Sequence, residues 1–330
     1  MKKLFLAITA LMTCLVVRAQ LIVSVEFSGD KATVTIPADA APYVSCSSGE
    51  SSHVSLLQAE TVGEDTSGEI TYSLSGTSDD GGFTLEGKYK TTIELNNLTL
   101  KNPSGPAINI QDGKRIKIEV KKGTTNSLAD GSNADYNGCI HCEGHLEFKK
   151  TGTLNIVGNN KHAIYSKEYL QIAKPTINIT GAKKDGFHCK WYFWMEDAAT
   201  VTISGVNDDG IQVEIDKKRP VTGSLPNHED VDENGEEIDE NSGNVYFDAG
   251  SLTISECGSY AINADGQVII NGGTQNYDAN AVSGINTLRY NVSKGEAAYD
   301  LSGRQLTNSL LKKGVTIIKN GNKTKKVVIK

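Results

Sequence analysis

The sequence Gly181-Ala-Lys-Lys-Asp-Gly-Phe-His-Cys-Lys-Trp-Tyr-Phe-Trp-Met-Glu-Asp-Ala-Ala-Thr-Val-Thr-Ile-Ser204 contains three stretches in which apolar and polar residues alternate. They cover residues 187–190, 192–195 and 200–204. An alternation of period two indicates β-strands with one buried face. Three short strands separated by turn residues predict one coil of a parallel β-solenoid.

The same unit recurs on both sides of this stretch. Each unit opens with a small residue followed by a bulky apolar one, and the bulky residues differ in number by 25, 32, 24, 23, 24 and 51. The opening pairs are Gly82-Phe83, Ala107-Ile108, Cys139-Ile140, Ala163-Ile164, Gly186-Phe187, Gly210-Ile211 and Ala261-Ile262. A unit of about 24 residues with two insertions explains this spacing. We therefore expect an all-β fold in which residues 70–290 form a right-handed parallel β-helix with three strands per coil.

Two further apolar columns support this alignment. The second strand recurs at Ile116/Ile118, Leu146/Phe148, Leu170/Ile172, Phe193/Met195, Val245/Phe247 and Val268/Ile270. The third recurs at Leu98/Leu100, Leu154/Ile156, Ile177/Ile179, Val201/Ile203 and Leu252/Ile254. Because the columns keep phase with one another, they predict three stacks of inward side chains.

Composition agrees with a folded, β-rich chain. The hydrophobic content of 38%, the aromatic content of 6% and the 33 glycines are typical of a folded protein with many turns. The net charge of -7, with no basic stripe, argues against nucleic acid as a partner. After residue 19, no stretch of apolar residues is long enough to span a membrane. The sequence leaves the oligomeric state open.

The two ends of the chain differ from the repeat. Residues 1–19 resemble a secretory signal peptide, with Lys2 and Lys3 before an apolar stretch and a small-residue cleavage site before Gln20. This predicts export to the periplasm, the cell surface or the medium; the alternative is a lipoprotein anchored through Cys14. Residues 20–69 lack the repeat, and their two alternating stretches predict a hairpin in an N-terminal β cap.

Residues 291–330 predict a short C-terminal β tail. The sequences Tyr299-Asp-Leu-Ser-Gly-Arg-Gln305 and Lys313-Gly-Val-Thr-Ile-Ile-Lys-Asn-Gly321 resemble the ending of many exported proteins of the Bacteroidetes, related to type IX sorting domains. The tail is shorter than a full sorting domain, and Thr316 stands where a tyrosine is usual.

An acidic insertion, residues 216–243, interrupts the sixth unit. Asp230-Val-Asp232-Glu-Asn234-Gly235 matches the first half of a calcium loop, but Asn241 stands where the loop's final glutamate would be. A solvated acidic loop is the alternative interpretation.

Outward residues of the first strand predict a groove. Thr84, Asn109, His141, Tyr165, His188, Gln212 and Asn263 form one column, and Glu86, Gln111, Glu143, Lys167, Lys190, Glu214 and Asp265 form its neighbour. The turns that lead into this face carry Asp185 in one unit and Asp208 and Asp209 in the next. Clustered carboxylates repel one another unless a cation binds between them, and hard oxygen ligands favour Ca²⁺. The alternative is that each Asp-Gly pair only makes a turn.

Aromatic residues form a second constellation. Trp191 stands at a turn that holds glycine in four other units, at Gly87, Gly113, Gly144 and Gly266. Flat rings suit the apolar faces of sugars, so we expect a ligand-binding platform. Its candidate members are Trp191, Trp194, Tyr192, Tyr169, His188, Tyr165 and Tyr246. The alternative is a stack of rings that is covered by the insertion or by another protein.

The region from Ile70 to Asn280 resembles a family of bacterial carbohydrate-binding β-helix proteins, in its motif Gly76-Thr-Ser-Asp-Asp-Gly81, in Leu98-Thr-Leu-Lys-Asn102 and in its Asp-Asp-Gly-Ile turns. That family is similar in fold to polysaccharide lyases. The resemblance implies calcium binding and recognition of acidic or cellulosic polysaccharide.

Two functions follow from these observations. The first is a non-catalytic, calcium-stabilised polysaccharide-binding protein. The second is a calcium-dependent lyase that cleaves uronic-acid polymers by β-elimination, with Lys167 or Lys190 as the base. A lysine base needs a lowered pKa, and nearby carboxylates raise it, so the sequence favours binding without catalysis.

Overall fold

The computed structural model describes residues 20–64, 67–218, 240–277, 282–287, 296–299, 305–306, 314–320 and 323–329. Every secondary-structure element in these ranges is a β-strand. The prediction of an all-β chain is therefore confirmed.

Most of the strands belong to one sheet of 25 members. In chain order they are β1 (Ile22–Ser28), β2 (Lys31–Thr35), β3 (Val44–Cys46), β4 (His53–Gln58), β5 (Ile70–Ser78), β6 (Gly82–Glu86), β7 (Thr91–Asn102), β8 (Ile108–Gln111), β9 (Arg115–Val120), β10 (Thr125–Asp130), β11 (Gly138–Cys142), β12 (His145–Lys149), β13 (Thr153–Gly158), β14 (His162–Ser166), β15 (Leu170–Ala173), β16 (Thr176–Ala182), β17 (Phe187–Lys190), β18 (Tyr192–Glu196), β19 (Thr200–Ile203), β20 (Ile211–Glu214), β21 (Asn244–Phe247), β22 (Ser251–Ile254), β23 (Ile262–Ile270), β24 (Thr274–Asn276) and β25 (Val282–Thr287).

Parallel pairing organises this sheet into three ladders. The first runs β4-β6-β8-β11-β14-β17-β20-β23-β25. The second runs β1-β5-β7-β9-β12-β15-β18-β21-β23. The third runs β7-β10-β13-β16-β19-β22-β24. Through most of its length the chain visits the ladders in turn, which is the connectivity expected of a β-solenoid.

The inward columns have the predicted register. Ile164 lies opposite Phe187 in the first ladder, and Phe187 lies opposite Ile211. All three side chains are fully buried. Equal spacing of about 4.8 Å between paired strands stacks such residues directly, and each large apolar side chain contributes about 1.5–3 kcal/mol on burial. One continuous core results.

One layer of the third ladder does not follow the apolar pattern of the repeat. In β10, Asn126 pairs with Leu154 and Leu128 pairs with Leu100 and Ile156. Asn126 is fully buried, where it accepts a hydrogen bond from the Leu98 N–H at 2.9 Å and donates to the Thr153 carbonyl at 3.2 Å. An amide can therefore occupy an inward position, because the backbone satisfies it.

The predicted N-terminal hairpin is present. Strands β1 and β2 pair antiparallel, with Ser28 opposite Lys31. In addition β1 pairs parallel with β5, and β4 pairs parallel with β6. The first strands of the chain therefore join the same ladders as the repeat.

The C-terminal residues form a second, antiparallel sheet. Its strands are β26 (Glu296–Tyr299), β27 (Gln305–Leu306), β28 (Gly314–Asn320) and β29 (Lys323–Ile329), and β28 pairs with both β26 and β29. The predicted signal peptide, Cys14 and residues 219–239 of the insertion lie outside the described residues. Within the described part of the chain, a helix that could cross a membrane is absent.

Candidate functional site

We call the outer surface of the first ladder the first face. It is defined by Asn109, His141, Tyr165, His188, Gln212 and Asn263, which lie side by side in register as the sequence predicts. The rings of His141, Tyr165 and His188 stack on one another, with centroid separations of 5.2 and 5.5 Å. Tyr165 is buried, which corrects the expectation that its ring is open to a ligand.

The centre of the first face is the buried carboxylate of Asp185. Its Oδ2 lies 3.0 Å from Nδ1 of His162 and 2.9 Å from Nδ1 of His188. Its Oδ1 accepts the backbone N–H of Asp209 at 3.1 Å. Burial acts to raise the pKa of Asp185, but the bonds to the two imidazoles outweigh it and hold this pKa well below its usual range. Asp185 is therefore an anion shared by two histidines.

The two imidazoles differ in their titration. Burial lowers the pKa of His162 despite its bond to Asp185. For His188 burial also favours the neutral ring, but bonds to Asp185 and Glu214 leave its pKa raised. Sequence reasoning named His188 and Asp185 but missed His162. A signal was present: His162 stands two residues before Ile164, as Asp185 stands two residues before Phe187.

The structure brings together the three aspartates of the predicted cation cluster. Oxygens of Asp185, Asp208 and Asp209 lie within 4.8 Å of one another. Asp209 is buried and accepts hydrogen bonds from the Tyr260 N–H and from Asn263 Nδ2, both at 2.8 Å. Asp208 is exposed, but the slight burial of its carboxylate and the charges of Asp185 and Asp209 raise its pKa.

The two lysines lie at the edge of the first face. Lys167 Nζ donates a hydrogen bond to Glu143 Oε2 at 2.5 Å. This hydrogen bond raises the pKa of Lys167, although partial burial opposes the shift. Lys190 lies opposite Glu214 in the ladder. Because its pKa is raised, Lys167 stays protonated at neutral pH and is a poor general base.

The outer surface of the second ladder, the second face, carries Lys117, Glu147, Gln171, Trp194 and Tyr246 side by side in register. Trp194 is half-buried, and its Nε1–H donates to Asp248 Oδ2 at 2.8 Å. Gln171 Nε2 donates to Glu196 Oε1 at 2.8 Å. One indole with a fixed orientation therefore lies among hydrogen-bonding groups.

The aromatic platform is more deeply covered than the sequence suggests. Trp191 is 3% exposed and Tyr192 6% exposed, and with Tyr169, Tyr246 and Ile269 they form a buried cluster against which Trp194 packs. The expectation that Trp191, Tyr192, Tyr169 and Tyr246 present open ring faces is thus corrected. They point outward but cover one another: Tyr169 stacks on Tyr192 at 4.8 Å, and Tyr192 meets Tyr246 edge-on at 6.2 Å.

Trp191 occupies a strained turn. Its φ of 70° lies in the left-handed region, which side chains other than glycine rarely adopt and which costs about 1–2 kcal/mol. Its N–H donates to the Glu214 carbonyl at 2.9 Å, and its carbonyl accepts the Gly243 N–H at 2.6 Å. The indole also meets the ring of His145 edge-on at 5.2 Å. These contacts hold Trp191 in a conformation that glycine would adopt at less cost.

Buried carboxylates anchor the tyrosines of the second face. The Tyr169 hydroxyl donates to Glu147 Oε1 at 2.8 Å, and the Tyr246 hydroxyl donates to Glu240 Oε1 at 2.6 Å. Sequence reasoning missed Glu240, because it lies in the acidic insertion, where no apolar periodicity assigns a direction to side chains.

Both faces lie within a stretch that matches a known family. The family model described as carbohydrate-binding domain-containing protein matches residues 61–324. The chain belongs to this family.

One curated relative and one solved structure are similar to this chain at low sequence identity. A carbohydrate-binding domain-containing protein from Acetivibrio thermocellus is 26% identical over 118 residues, which cover 33% of this chain and 41% of that protein. The chain thus matches less than half the length of this relative. A solved structure described as the polysaccharide lyase-like protein from C. thermocellum, gadolinium derivative, has a TM-score of 0.55 at 18% identity. It aligns with 81% of this chain and all of that one, and it shows the fold alone.

The family match covers the second face of this chain completely. Trp194, Gln171 and Glu196 lie inside it, as do Asp185, His162 and His188. The candidate groups for sugar contact therefore belong to the family domain and not to the N-terminal hairpin.

Proposed function

We propose that this protein is an exported, non-catalytic polysaccharide-binding protein whose second face binds the glycan. The observation that carries this proposal is Trp194: a half-buried indole, fixed by Asp248 and backed by a buried cluster of rings. A sugar ring offers C–H groups to such an indole, which has few rotamers to lose on binding.

Polar groups beside Trp194 support the same assignment. Lys149 Nζ lies 3.4 Å from Glu196 Oε1, and Gln171 bonds the same oxygen. Alternating donors and acceptors suit hydroxyl groups, and Lys117 and Lys149, both partly exposed, suit the carboxylates of an acidic, pectin-like chain. A neutral cellulosic chain would use Trp194 and Gln171 without the lysines.

The proposed scaffold is a right-handed parallel β-helix with three strands per coil. The three ladders and their in-register columns support it, and the regular spacing of about 4.8 Å between layers gives a long ligand a repeating surface. We further propose that residues 1–19 are a signal peptide, so that the mature chain begins at Gln20.

Calcium is proposed to stabilise the first face. The three clustered aspartates offer the hard oxygen ligands that Ca²⁺ prefers, and Asp185 and Asp209 each keep lone pairs beyond their present hydrogen bonds. A cation there would reduce the repulsion among the three carboxylates.

The lyase is the weaker second candidate. The ion pair between Lys167 and Glu143 opposes it, because the base of a β-elimination must be able to accept a proton.

Glycan binding is tested by pull-down with insoluble cellulose and by titration with polygalacturonate. We expect Trp194→Ala to weaken binding about ten- to a hundredfold, a loss of about 1–3 kcal/mol, with an unchanged circular dichroism spectrum. The matched control is Tyr260→Ala, which removes an exposed ring, 41% accessible, away from the second face.

Two results would contradict this proposal. One is that Trp194→Ala and Tyr260→Ala bind as tightly as the wild type. The other is release of unsaturated oligosaccharides by the wild type that Lys190→Ala abolishes, which would establish the lyase.

Calcium is tested by thermal melting with and without a calcium-selective chelator. We expect the chelator to lower the melting temperature, since a ligand at 100 times its Kd stabilises the folded state by about 2.7 kcal/mol. Asp208→Ala should remove this sensitivity, and Asp197→Ala, an exposed acid in another turn, should keep it. Identical wild-type melting curves would leave the aspartates as turn residues.

A further inference from the structure

We propose that His162, Asp185 and His188 form a binding site for a first-row transition ion, with Zn²⁺ the best fit. This site is separate in chemistry from the calcium cluster, because two of its three ligands are imidazole nitrogens. The inference does not rest on the proposed glycan function.

The geometry of the three ligand atoms is close to that of a metal site. Nδ1 of His162 and Nδ1 of His188 lie 3.0 and 2.9 Å from the same Asp185 oxygen, and all three atoms lie within 4.8 Å of one another. Ligands about 2.0–2.1 Å from a tetrahedral Zn²⁺ lie roughly 3.3 Å apart. The two distances between imidazole nitrogens and Asp185 Oδ2 therefore lie within a few tenths of an ångström of the spacing between zinc ligands.

The ligand types select the metal. Calcium and magnesium take oxygen ligands, whereas imidazole with one carboxylate suits zinc and its first-row neighbours. Three protein ligands leave one tetrahedral position for water. The Asp185 oxygen that faces the imidazoles is Oδ2, while Oδ1 faces the backbone of Asp209. One carboxylate can thus serve the nitrogen site through one oxygen and the aspartate cluster through the other.

Surrounding groups orient the ligands as outer partners do in metal sites. The second ring nitrogen of His188, Nε2, faces Glu214 Oε2 at 3.8 Å, and Oδ1 of Asp185 accepts a backbone N–H. His162 and Asp185 are buried and the His188 side chain is 12% exposed, so packing restricts the movement of all three ligands.

The site lies between two neighbouring strands of the first ladder, so a bound ion would affect the stability of the fold. His162 belongs to β14 and His188 to β17, which are neighbours in the first ladder. Asp185 lies in the turn before β17. An ion held by all three would join two successive layers of the sheet, and its binding energy would add to the stability of the folded chain.

The test uses untagged full-length protein, stripped with chelator and titrated with Zn²⁺ by calorimetry. We expect one equivalent to bind, excess Ca²⁺ not to displace it, and Co²⁺ to give the visible absorption of a four-coordinate nitrogen–oxygen site. His162→Ala and His188→Ala should each weaken binding at least about 100-fold, more than the loss of an outer partner does. Circular dichroism at 20 °C should show that both variants remain folded.

The matched control is His141→Ala. His141 belongs to the same outer column and its Nε2 lies 3.0 Å from Glu143 Oε1, but it is not part of the cluster. Its Zn²⁺ affinity should equal that of the wild type, as should that of Asp208→Ala. If a histidine variant unfolds, His162→Gln and the Co²⁺ spectrum of the wild type decide the question.

Three results would overturn the proposal. They are the absence of stoichiometric binding by the wild type, equal affinity in the variants of His162 and His188, and displacement of Zn²⁺ by excess Ca²⁺. The first two results would make the cluster a metal-free hydrogen-bonded network, and the third would assign the Asp185 carboxylate to calcium alone. Glycan pull-downs in zinc-free buffer are independent of each outcome, so the two proposals fail separately.

Discussion

The two outer faces of the main sheet are built on the same alternation but are filled by different chemistry. On the first face Asp185 and its histidines contact one another through hydrogen bonds between charged or ionisable groups. On the second face Trp191 and Tyr192 belong to a cluster that excludes water from ring surfaces. Both sets of side chains point away from the core, yet both are buried.

The direction in which a side chain points and its accessibility to solvent are therefore separate properties. Alternation decides on which side of a strand a residue lies, but neighbouring layers decide whether solvent reaches it. On the first face burial shifts pKa values, because charged groups lose solvation. On the second face burial stabilises the fold through apolar area and leaves Trp194 at the edge as the accessible ring.

The largest effect is expected from a substitution in the core, because loss of folding would abolish both faces. Ile203 is fully buried beneath the third ladder, opposite Ile179 and Ile254. Ile203→Asp would bury a carboxylate without a partner, and we expect a loss above about 4 kcal/mol that prevents folding. Soluble yield and circular dichroism measure this. Thr202→Asp, on the outward side of the same strand, should fold; equal loss in both variants would contradict the assignment of inward and outward residues.

A smaller effect is confined to the second face. Trp191→Ala should lower the free energy of unfolding by about 3–5 kcal/mol, because it removes a buried indole. Trp191→Gly should lose about 1 kcal/mol less, because glycine accepts a φ of 70° without strain. Urea denaturation compares the two variants. If alanine is as stable as glycine there, the left-handed turn is not a source of strain.

The smallest effect concerns the support of the first face. Asp130 Oδ1 accepts backbone N–H bonds from Asn159 and Asn160, which precede β14, and burial raises the Asp130 pKa to about 6. A raised carboxyl pKa means that the folded state binds more protons than the unfolded state between about pH 4 and 6, so stability falls as pH rises through this window. At pH 7 the cost is about 1–3 kcal/mol.

Asp130→Asn keeps the accepting oxygen and removes the charge. We therefore expect the variant to gain stability relative to the wild type as the pH rises from 4 to 7, measured by urea denaturation at each pH. Asp135→Asn, an exposed acid nearby, is the control and should follow the wild type. Parallel pH profiles for the wild type and Asp130→Asn would show that Asp130 does not titrate in this range.

Much of the fold was predictable from sequence. The inward columns at Ile164, Phe187 and Ile211 were aligned correctly, because a repeat of about 24 residues combined with alternation allows one register. The layer at Leu128 was missed, because Asn126 breaks the apolar pattern at an inward position whose hydrogen bonds come from other layers.

The site was predictable only in part. Asp185, Asp208 and Asp209 were expected to meet, since their turns stand in equivalent places of adjacent units, and they do. The contact of His162 with Asp185 was not foreseen, although both precede a bulky core residue by two positions. The burial of Trp191 and Tyr192 was not foreseen either, because it depends on rings from other layers.

The sequence by itself determined which residues face the core and which layers are neighbours, because side-chain direction follows from local alternation and register from the repeat. Only the tertiary structure decided how the outward residues combine: that one carboxylate serves two imidazoles, and that all but one of the indole and phenol rings of the second face are closed off. Those outcomes depend on distances between layers 23 to 54 residues apart in the chain, which local patterns do not encode.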